Sequence, residues 1–202
     1  MARPSAVAER RREILEATCA VVSERGFRDL RIVDVARKAG YSTGTVHYYF
    51  DSKEELLREA FRFEYEESRL RRERVVTPGL DPVARLRALA DAYLPSSPQS
   101  VRSWRVWMEL WISALRDPSM GQVNDVYYGE WRQAVLDAIV EGQEQGLLDV
   151  GDPALVANMY VSMMDGLAIQ VLAGAQAISI EDMQATCRAF VDSVAVPTAT
   201  TA

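Results

Sequence analysis

The chain has 202 residues, of which 49% are hydrophobic and 26% charged, a composition typical of one or two globular domains. Two cysteines and one histidine are too few for a disulfide framework or a four-ligand zinc site, and we expect no metal and no cofactor. The net charge of −6 is unevenly spread, because residues 1–53 have ten basic and seven acidic residues and residues 54–202 have 13 and 22, so only the first segment is suited to a polyanion.

Helical periodicity runs through the whole chain, and strand-like alternation is scarce. Gly26 and Gly40 end the first two periodic segments, whereas Ser42 and Ser52 are suited to cap the helices that follow them. A cluster of breaker residues over 77–82 and further Pro and Gly residues separate the later segments. The pattern predicts about nine helices, over residues 6–25, 32–38, 43–49, 53–75, 82–94, 99–116, 119–145, 153–173 and 180–195.

These elements predict an all-α fold with two functional parts. A three-helix helix-turn-helix DNA-binding domain is expected over 1–52, followed by a connecting helix over 53–75. A helical ligand-binding and dimerisation domain is expected over 76–196, and a disordered tail over 197–202. The chain shows no apolar signal core and no charge-free apolar stretch of 18 residues, so we expect a cytoplasmic protein without a membrane partner.

The segment from Gly26 to Leu57 has the residue pattern of a helix-turn-helix. Gly40 can adopt the positive φ that a tight turn needs, and small residues follow that let a helix enter the major groove of DNA. Polar aromatic residues come next, and Lys53 opens a helix whose N-terminus can help to hold a phosphate. The candidate DNA-contact residues are Arg31, Ser42, Thr43, Gly44, Thr45, His47, Tyr48, Tyr49 and Lys53. The alternative for these residues is an ordinary solvated helix surface.

This segment resembles the DNA-binding domain of the TetR family of repressors. The motifs that carry the resemblance are Gly26, Val35-Ala36, Ala39-Gly40-Tyr41-Ser42, Thr43-Gly44, His47-Tyr48-Tyr49-Phe50 and Lys53. Arg31 stands where the family has a capping Thr or Ser, so either the cap is lost or Arg31 contacts phosphate. The run WRVWMELWISALRDP over 104–118 is similar to the family's betaine branch, which contains the repressor of glycine-betaine synthesis.

The resemblance implies a homodimer that binds a palindromic operator in double-stranded DNA. The third helix of each subunit would enter one of two successive major grooves. It also implies a small-molecule effector that binds the C-terminal domain and releases the DNA, as in a repressor. The sequence leaves the sign of regulation open, so activation is an alternative. It identifies neither the operator nor the regulated genes.

Aromatic and methionine residues recur at helical spacing in the second half of the chain. Such a stripe is usually core, but the resemblance implies that the Trp-rich helix borders the ligand cavity. An aromatic cavity suits an apolar ligand or an organic cation such as a choline-like molecule. The candidate ligand-binding residues are Trp104, Trp107, Met108, Trp111, Tyr127, Tyr128, Trp131 and Met163. Charged residues in the same helices either orient a ligand or pair with one another: Arg102, Arg105, Glu109 and Asp165.

Small and apolar residues recur along the last two predicted helices, which suits a four-helix interface between two subunits. The candidate dimer-interface residues are Gly166, Ile180, Met183, Cys187, Phe190 and Val191. The alternative is that these residues close only the core of their own subunit.

The sequence does not favour an enzyme. His47 is the only histidine, and the chain has no phosphate-binding glycine loop, no nucleophile elbow and no paired metal ligands. A remaining alternative is a helical protein–protein interaction module without DNA binding. The basic N-terminal segment and Lys53 favour the DNA-binding regulator.

Overall fold

A computed structural model describes residues 6–77 and 79–197 of the chain. Nine α-helices and no strand occur in this part, which confirms the predicted all-α fold. Predicted and observed helix ends differ by two residues at most. Most of the predicted disordered tail, residues 198–202, lies outside the described residues. The helices are α1 (Ala6–Arg25), α2 (Ile32–Ala39), α3 (Thr43–Tyr49), α4 (Lys53–Val75), α5 (Pro82–Tyr93), α6 (Pro98–Ala114), α7 (Pro118–Glu144), α8 (Pro153–Leu172) and α9 (Ile180–Val194).

The chain divides into two compact units. Unit 1 comprises the described residues up to Ser68 together with 101–125, so it holds α1 to α3, most of α4 and of α6, and the start of α7. In it α1 packs against α2, and α2 against α3. The apolar faces that gave the helical periodicity form its core, which includes Ile14, Val22, Val35, Val46, Phe50, Leu57, Phe61, Val106 and Leu110.

Unit 2 comprises residues 69–100 and the described residues from Val126 onwards. In it α9 packs against both α5 and α8, and the rings of Tyr160 and Phe190 stack with centroids 4.9 Å apart. Its buried residues include Leu86, Leu89, Trp131, Val135, Ile139, Tyr160, Met164, Met183, Cys187 and Val191. The predicted domain boundaries along the chain stay predictions, because grouping by spatial contact does not test them.

Helix α8 has more apolar surface than the rest of its unit covers. By length and composition alone it could cross a membrane, yet a core helix of a soluble protein passes the same test. Only 28% of its most apolar window is buried, and Leu155 and Met159 are 56% and 54% exposed. Asp165 is its only charged residue. An apolar face is therefore left uncovered on α8.

Candidate nucleic-acid interface and effector site

The turn between α2 and α3 has the geometry that the sequence predicted. Gly40 ends α2 with a φ of +77°, a conformation that residues with a side chain rarely adopt. The Tyr41 N–H donates to the Ala36 carbonyl at 2.9 Å, and the Tyr41 hydroxyl donates to Glu13 of α1. Tyr41 therefore fastens the turn to α1. Helix α3 is anchored by Val46, which is fully buried.

Helix α3 presents its polar face to solvent. Ser42 caps the helix, since its Oγ accepts a hydrogen bond from the Thr45 N–H at 3.0 Å. Ser42, Thr43 and Gly44 are exposed, and Thr45 is half-buried. A seven-residue helix thus begins with small polar groups that nothing in unit 1 covers, as insertion into a DNA groove requires.

The aromatic end of α3 is divided between core and surface. Tyr48 is 78% exposed and His47 is also exposed, whereas Phe50 is buried in the core of unit 1. Tyr49 is half-buried, and its ring meets that of Tyr48 edge to face at 5.1 Å. Leaving a tyrosine this exposed costs apolar burial, so Tyr48 suits contact with a partner rather than packing.

Arg31 and Lys53 lie on either side of the loop that follows α1. Arg31 occupies the N-cap of α2 without a side-chain cap hydrogen bond, so the cap is lost, and its Nε donates instead to Asp34 at 2.9 Å. The Lys53 ammonium lies 4.8 Å from the Phe27 ring centroid and donates to the Arg28 carbonyl at 3.2 Å. Both cations are therefore held at this loop, in the same unit as α3.

Glu109 of α6 is bound to the same loop, a role that the sequence did not reveal. Its carboxylate accepts a hydrogen bond from the Phe27 N–H at 2.8 Å. It also occupies the space beside Gly26, because a Cβ there would lie 3.1 Å from Glu109 Oε1. Of the two roles predicted for Glu109, neither ligand contact nor an ion pair is observed. The contact joins residues 82 positions apart, which no local pattern could indicate.

Four of the predicted ligand-binding residues lie on α6 in unit 1. Trp104 is 2% exposed and meets Trp111 edge to face at 5.7 Å. The Trp111 Nε1 donates to Asn124 at 2.9 Å, while Trp107 packs edge to face on Tyr65 at 6.4 Å. Their packing against one another and against the core fits the core interpretation at least as well as a pocket wall. Met108 on the same helix is half-buried.

The other four predicted ligand-binding residues belong to unit 2, where two of them lie beside a half-buried carboxylate. Asp165 accepts hydrogen bonds from the hydroxyls of Tyr128 at 2.6 Å and Tyr93 at 2.7 Å. The Tyr93 ring stacks on Trp131, with centroids 4.4 Å apart. We call Asp165, Tyr93, Tyr128 and Trp131 the Asp165 cluster. Tyr127 and Met163 are half-buried in the same unit.

The Asp165 cluster is electrostatically incomplete. Burial raises the pKa of Asp165 above its ordinary value, and the two tyrosine hydroxyls only partly oppose this shift. No Lys or Arg is ion-paired with Asp165 among the residues the structure describes. The Trp131 side chain is 3% exposed, and its indole N–H has no acceptor in the described part of the chain. The Arg72 guanidinium lies 5.0 Å from the Trp131 ring centroid, so one cation already stands beside the aromatic side of the cluster. The half-buried carboxylate without an ion-pair partner and the buried indole N–H without an acceptor are the groups that a ligand could match.

The sequence anticipated the aromatic part of this cluster better than its polar centre. Tyr128 and Trp131 were candidates, whereas Tyr93 was not singled out and Asp165 was left between two roles. The signal for Asp165 was present, because it is the only charged residue in the 20-residue apolar helix α8. Tyr93 is the last residue of α5 and reaches the cluster by tertiary packing alone.

The predicted dimer-interface residues fall into two groups. Met183, Cys187 and Val191 are at most 2% exposed within their own unit, so the prediction that they face a second subunit does not fit their burial. These residues pack on α5 and α8 because α9 directs that stripe inward. Burial also raises the pKa of Cys187 to about 11, which leaves the thiol protonated and unreactive. The remaining candidates are Gly166, which is exposed, Ile180, which is 37% exposed, and Phe190, which is half-buried.

Within residues 6–77 and 79–197, no group of three or more His, Cys, Asp or Glu side chains could hold a metal ion. The chemistry at both candidate surfaces is therefore described by hydrogen bonds, ion pairs and aromatic contacts.

A helix-turn-helix in one unit and a second helical unit in the same chain are typical of bacterial transcriptional regulators. Residues 14–60 match the family described as bacterial regulatory proteins, tetR family. Residues 82–196, more than half of the chain, match the family described as BetI-type transcriptional repressor, C-terminal. The chain therefore belongs to the TetR family, with a C-terminal domain of the BetI type.

Individual relatives agree with this assignment. The chain is 31% identical over 123 residues to the HTH-type transcriptional regulator BetI of Proteus mirabilis, a match that covers 58% of this chain and 60% of the relative. A transcriptional regulator from Saccharomonospora viridis, solved in complex with choline, is 30% identical, with a TM-score of 0.88 over 94% of this chain and 99% of that one. A TetR-family regulator from Rhodococcus is 29% identical, with a TM-score of 0.83 over 92% of this chain and 98% of that one.

Proposed function

We propose that this protein is a cytoplasmic transcriptional repressor that binds a palindromic operator as a homodimer and releases it when a small organic cation binds the Asp165 cluster. The observation that carries DNA binding is the exposed polar face of α3, beside two cations held at one loop. Family membership supports the same role. The interaction module without DNA binding remains the competing function.

The effector follows from the chemistry of the Asp165 cluster. A half-buried carboxylate among aromatic rings, with no Lys or Arg ion-paired to it in the described residues, is stabilised by an incoming cation, and tyrosine rings add cation–π attraction. The Trp131 ring is already contacted by Tyr93 and by the Arg72 guanidinium. The Trp131 N–H would donate to a hydroxyl or other acceptor on the same ligand. A choline-like molecule carries both groups. The structural relative from Saccharomonospora viridis binds choline, which supports this ligand class.

The homodimer is supported by α8. Its most apolar window is mostly unburied in the single chain, and Leu155 and Met159 lie four positions apart on one helical stripe. Exposed Gly166 allows a close approach on the same helix. An apolar helix face of this kind is typical of an interface that a second copy covers.

Selection of bound duplexes from a random DNA library tests operator binding. We expect purified protein to enrich a palindrome whose half-sites are about one helical turn apart. A Tyr48→Ala variant should lose preference for that site, whereas Leu115→Ala, which changes an 86% exposed residue outside α3, should keep it. If no sequence is enriched and bulk DNA is not bound at low salt, the interaction module is favoured.

Titration with choline tests the effector, with Trp fluorescence and release of the enriched duplex as readouts. We expect binding that is lost in Asp165→Asn but retained in Asp137→Asn, because Asp137 is an exposed carboxylate of the same unit. An uncharged analogue of the same shape should bind far more weakly. Equal binding of charged and uncharged analogues would contradict a cationic effector and leave DNA binding untouched.

A further inference from the structure

Three arginines surround the Asp34 carboxylate in α2. Asp34 is 5% exposed, and its carboxylate pairs with Arg25 at 3.1 Å, Arg31 at 2.9 Å and Arg37 at 3.4 Å. These ion pairs hold the pKa of Asp34 below its ordinary value, with the Arg31 hydrogen bond as the main cause. Asp34 therefore remains ionised and keeps three guanidinium groups together.

The three guanidinium groups keep most of their donors unused. Arg31 contacts Asp34 through its Nε, and Arg25 contacts Asp34 through one Nη, so the other N–H groups of both arginines are available. The side chains of Arg25, Arg31 and Arg37 are 46% to 69% exposed. Arg28 is exposed and has no side-chain partner among the residues described. Arg28 lines an open cleft of about 510 Å³ together with Arg25, Asp29 and Arg31.

The charges at this cleft favour an anion. Three arginines, Arg25, Arg28 and Arg31, and one acidic residue, Asp29, line the cleft itself. Arg37 and Lys53 add two basic groups that contact Asp34 and this loop, and Asp34 and Glu109 add two acidic groups, which makes five basic groups against three acidic ones. Lys53 is continuous with the cleft because its ammonium is bound to the Arg28 carbonyl. Arginine forks fit phosphate oxygens in pairs, and Lys53 adds a point charge beside them.

We propose that Asp34 holds Arg25 and Arg31 beside Arg28, so that the three arginines form a clamp for a phosphate of the DNA backbone, next to the groove that α3 reads. This inference rests on the proposed DNA binding and adds to it a sequence-independent anchoring site. The clamp sets the register of α3 on the duplex without contacting a base. Arg31 stands at the N-cap position of α2 without capping the helix, and the clamp gives its side chain a different role.

The test measures the dissociation constant as a function of KCl concentration, for the enriched operator and for a scrambled duplex. Arg28→Gln and Arg31→Gln should weaken binding to both duplexes by the same factor, and each should reduce the salt slope by about one. Arg69→Gln is the matched control, because Arg69 pairs with Glu73 on α4 and is not among the residues that line this cleft. It should leave the slope unchanged.

The direction in which Asp34→Asn changes the affinity for DNA distinguishes the clamp from a general electrostatic attraction. If the arginines act only as a diffuse positive field, removal of a negative charge tightens DNA binding; if Asp34 organises the clamp, it weakens binding. Asp34→Glu should restore part of the loss, and circular dichroism checks that each variant is folded. Arg28→Gln keeps the test valid if Asp34→Asn unfolds, because the Arg28 side chain holds no other group.

The possible failures are distinguishable. A wild-type protein that binds DNA with a salt slope that Arg28→Gln and Arg31→Gln do not change overturns the clamp alone. Tighter binding by folded Asp34→Asn does the same. A wild-type protein that binds neither duplex overturns the proposed DNA binding and the clamp together.

Discussion

At the residue scale, Gly26 is constrained from two sides. Its φ of +78° lies in the left-handed region, and the Glu109 carboxylate occupies the position beside it. Gly26→Ala should therefore lower the free energy of unfolding by about 1–2 kcal/mol, mainly through backbone strain. Urea unfolding measures this change.

Gly129→Ala is the control for that prediction. Gly129 lies inside α7, and nothing stands within 4 Å of a Cβ placed there. Alanine should stabilise this position by up to about 1 kcal/mol, because it favours the helix. Equal effects at both positions would show that the Gly26 conformation is not required.

Asp165 should make effector binding depend on pH. Only the ionised carboxylate attracts a cation, and burial raises its pKa above the ordinary 3.8, so protonation begins at a higher pH than for an exposed Asp. Cation affinity should therefore be full above this raised pKa and fall as the pH drops through it. Calorimetric titration at a series of pH values measures the fall.

The hydroxyl groups around Asp165 do not produce this pH dependence. Burial and the nearby carboxylate raise the pKa of Tyr93 well above its ordinary value, so this hydroxyl stays protonated and donating over the whole range. Asp165→Asn should bind weakly at every pH. A wild-type affinity that does not change on acidification would contradict the role of Asp165 as counterion.

At the element scale, α3 depends on its cap. With seven residues it is too short to be stable by itself, and Ser42 satisfies one of its unpaired N-terminal N–H groups. Ser42→Ala should cost about 1 kcal/mol of unfolding free energy and weaken operator binding. Unfolding and duplex-binding curves measure both effects.

Ser42→Asn separates the cap from the contact. Asparagine accepts the Thr45 N–H as serine does, so stability should be kept whether or not Ser42 touches DNA. Loss of stability in Ser42→Ala without rescue in Ser42→Asn would contradict the capping role.

The start of α4 shows which capping hydrogen bonds the local sequence predicts and which it does not. Half of a capping box is present: the Glu55 N–H donates to Ser52 Oγ at 3.0 Å, but the Glu55 carboxylate accepts from the Asp51 N–H at 2.7 Å, one residue earlier. Ser52 as a capping residue was sufficient to predict the helix start. The choice between two neighbouring N–H groups depends on the entry angle of the chain, which spacing does not encode.

At the scale of the whole molecule, the apolar face of α8 should decide the oligomeric state. Leu155→Glu combined with Met159→Glu places two charges on this face and should convert the dimer to a monomer. Sedimentation or size-exclusion chromatography with light scattering measures the mass. The monomer should also bind the operator far more weakly, because it reads one half-site.

Leu115→Glu is the matched control for the dimer. Leu115 is 86% exposed and follows α6, so a charge there should change neither mass nor operator affinity. A double variant on α8 that remains dimeric would place the interface elsewhere. A wild-type protein that is monomeric at assay concentration would contradict the homodimer itself.

The sequence by itself determined the helices, their caps and the helix-turn-helix pattern. These features depend on residues within four positions of one another, as at Gly40, Ser42 and the apolar stripe of α1. The local sequence therefore contains the residues that determine them. The family resemblance then fixed the order of the two functional parts, and the matched families confirmed it.

Only the tertiary structure decided which side chains meet. Tyr93 and Asp165 are 72 positions apart and Glu109 and Phe27 are 82 apart, and no periodicity links such pairs. The inward stripe of α9 was equally ambiguous, since an apolar face looks the same whether its own subunit or a partner covers it. Burial of Met183 and Cys187 against α5 and α8 resolved that ambiguity, because packing, not composition, sets which face a helix turns inward.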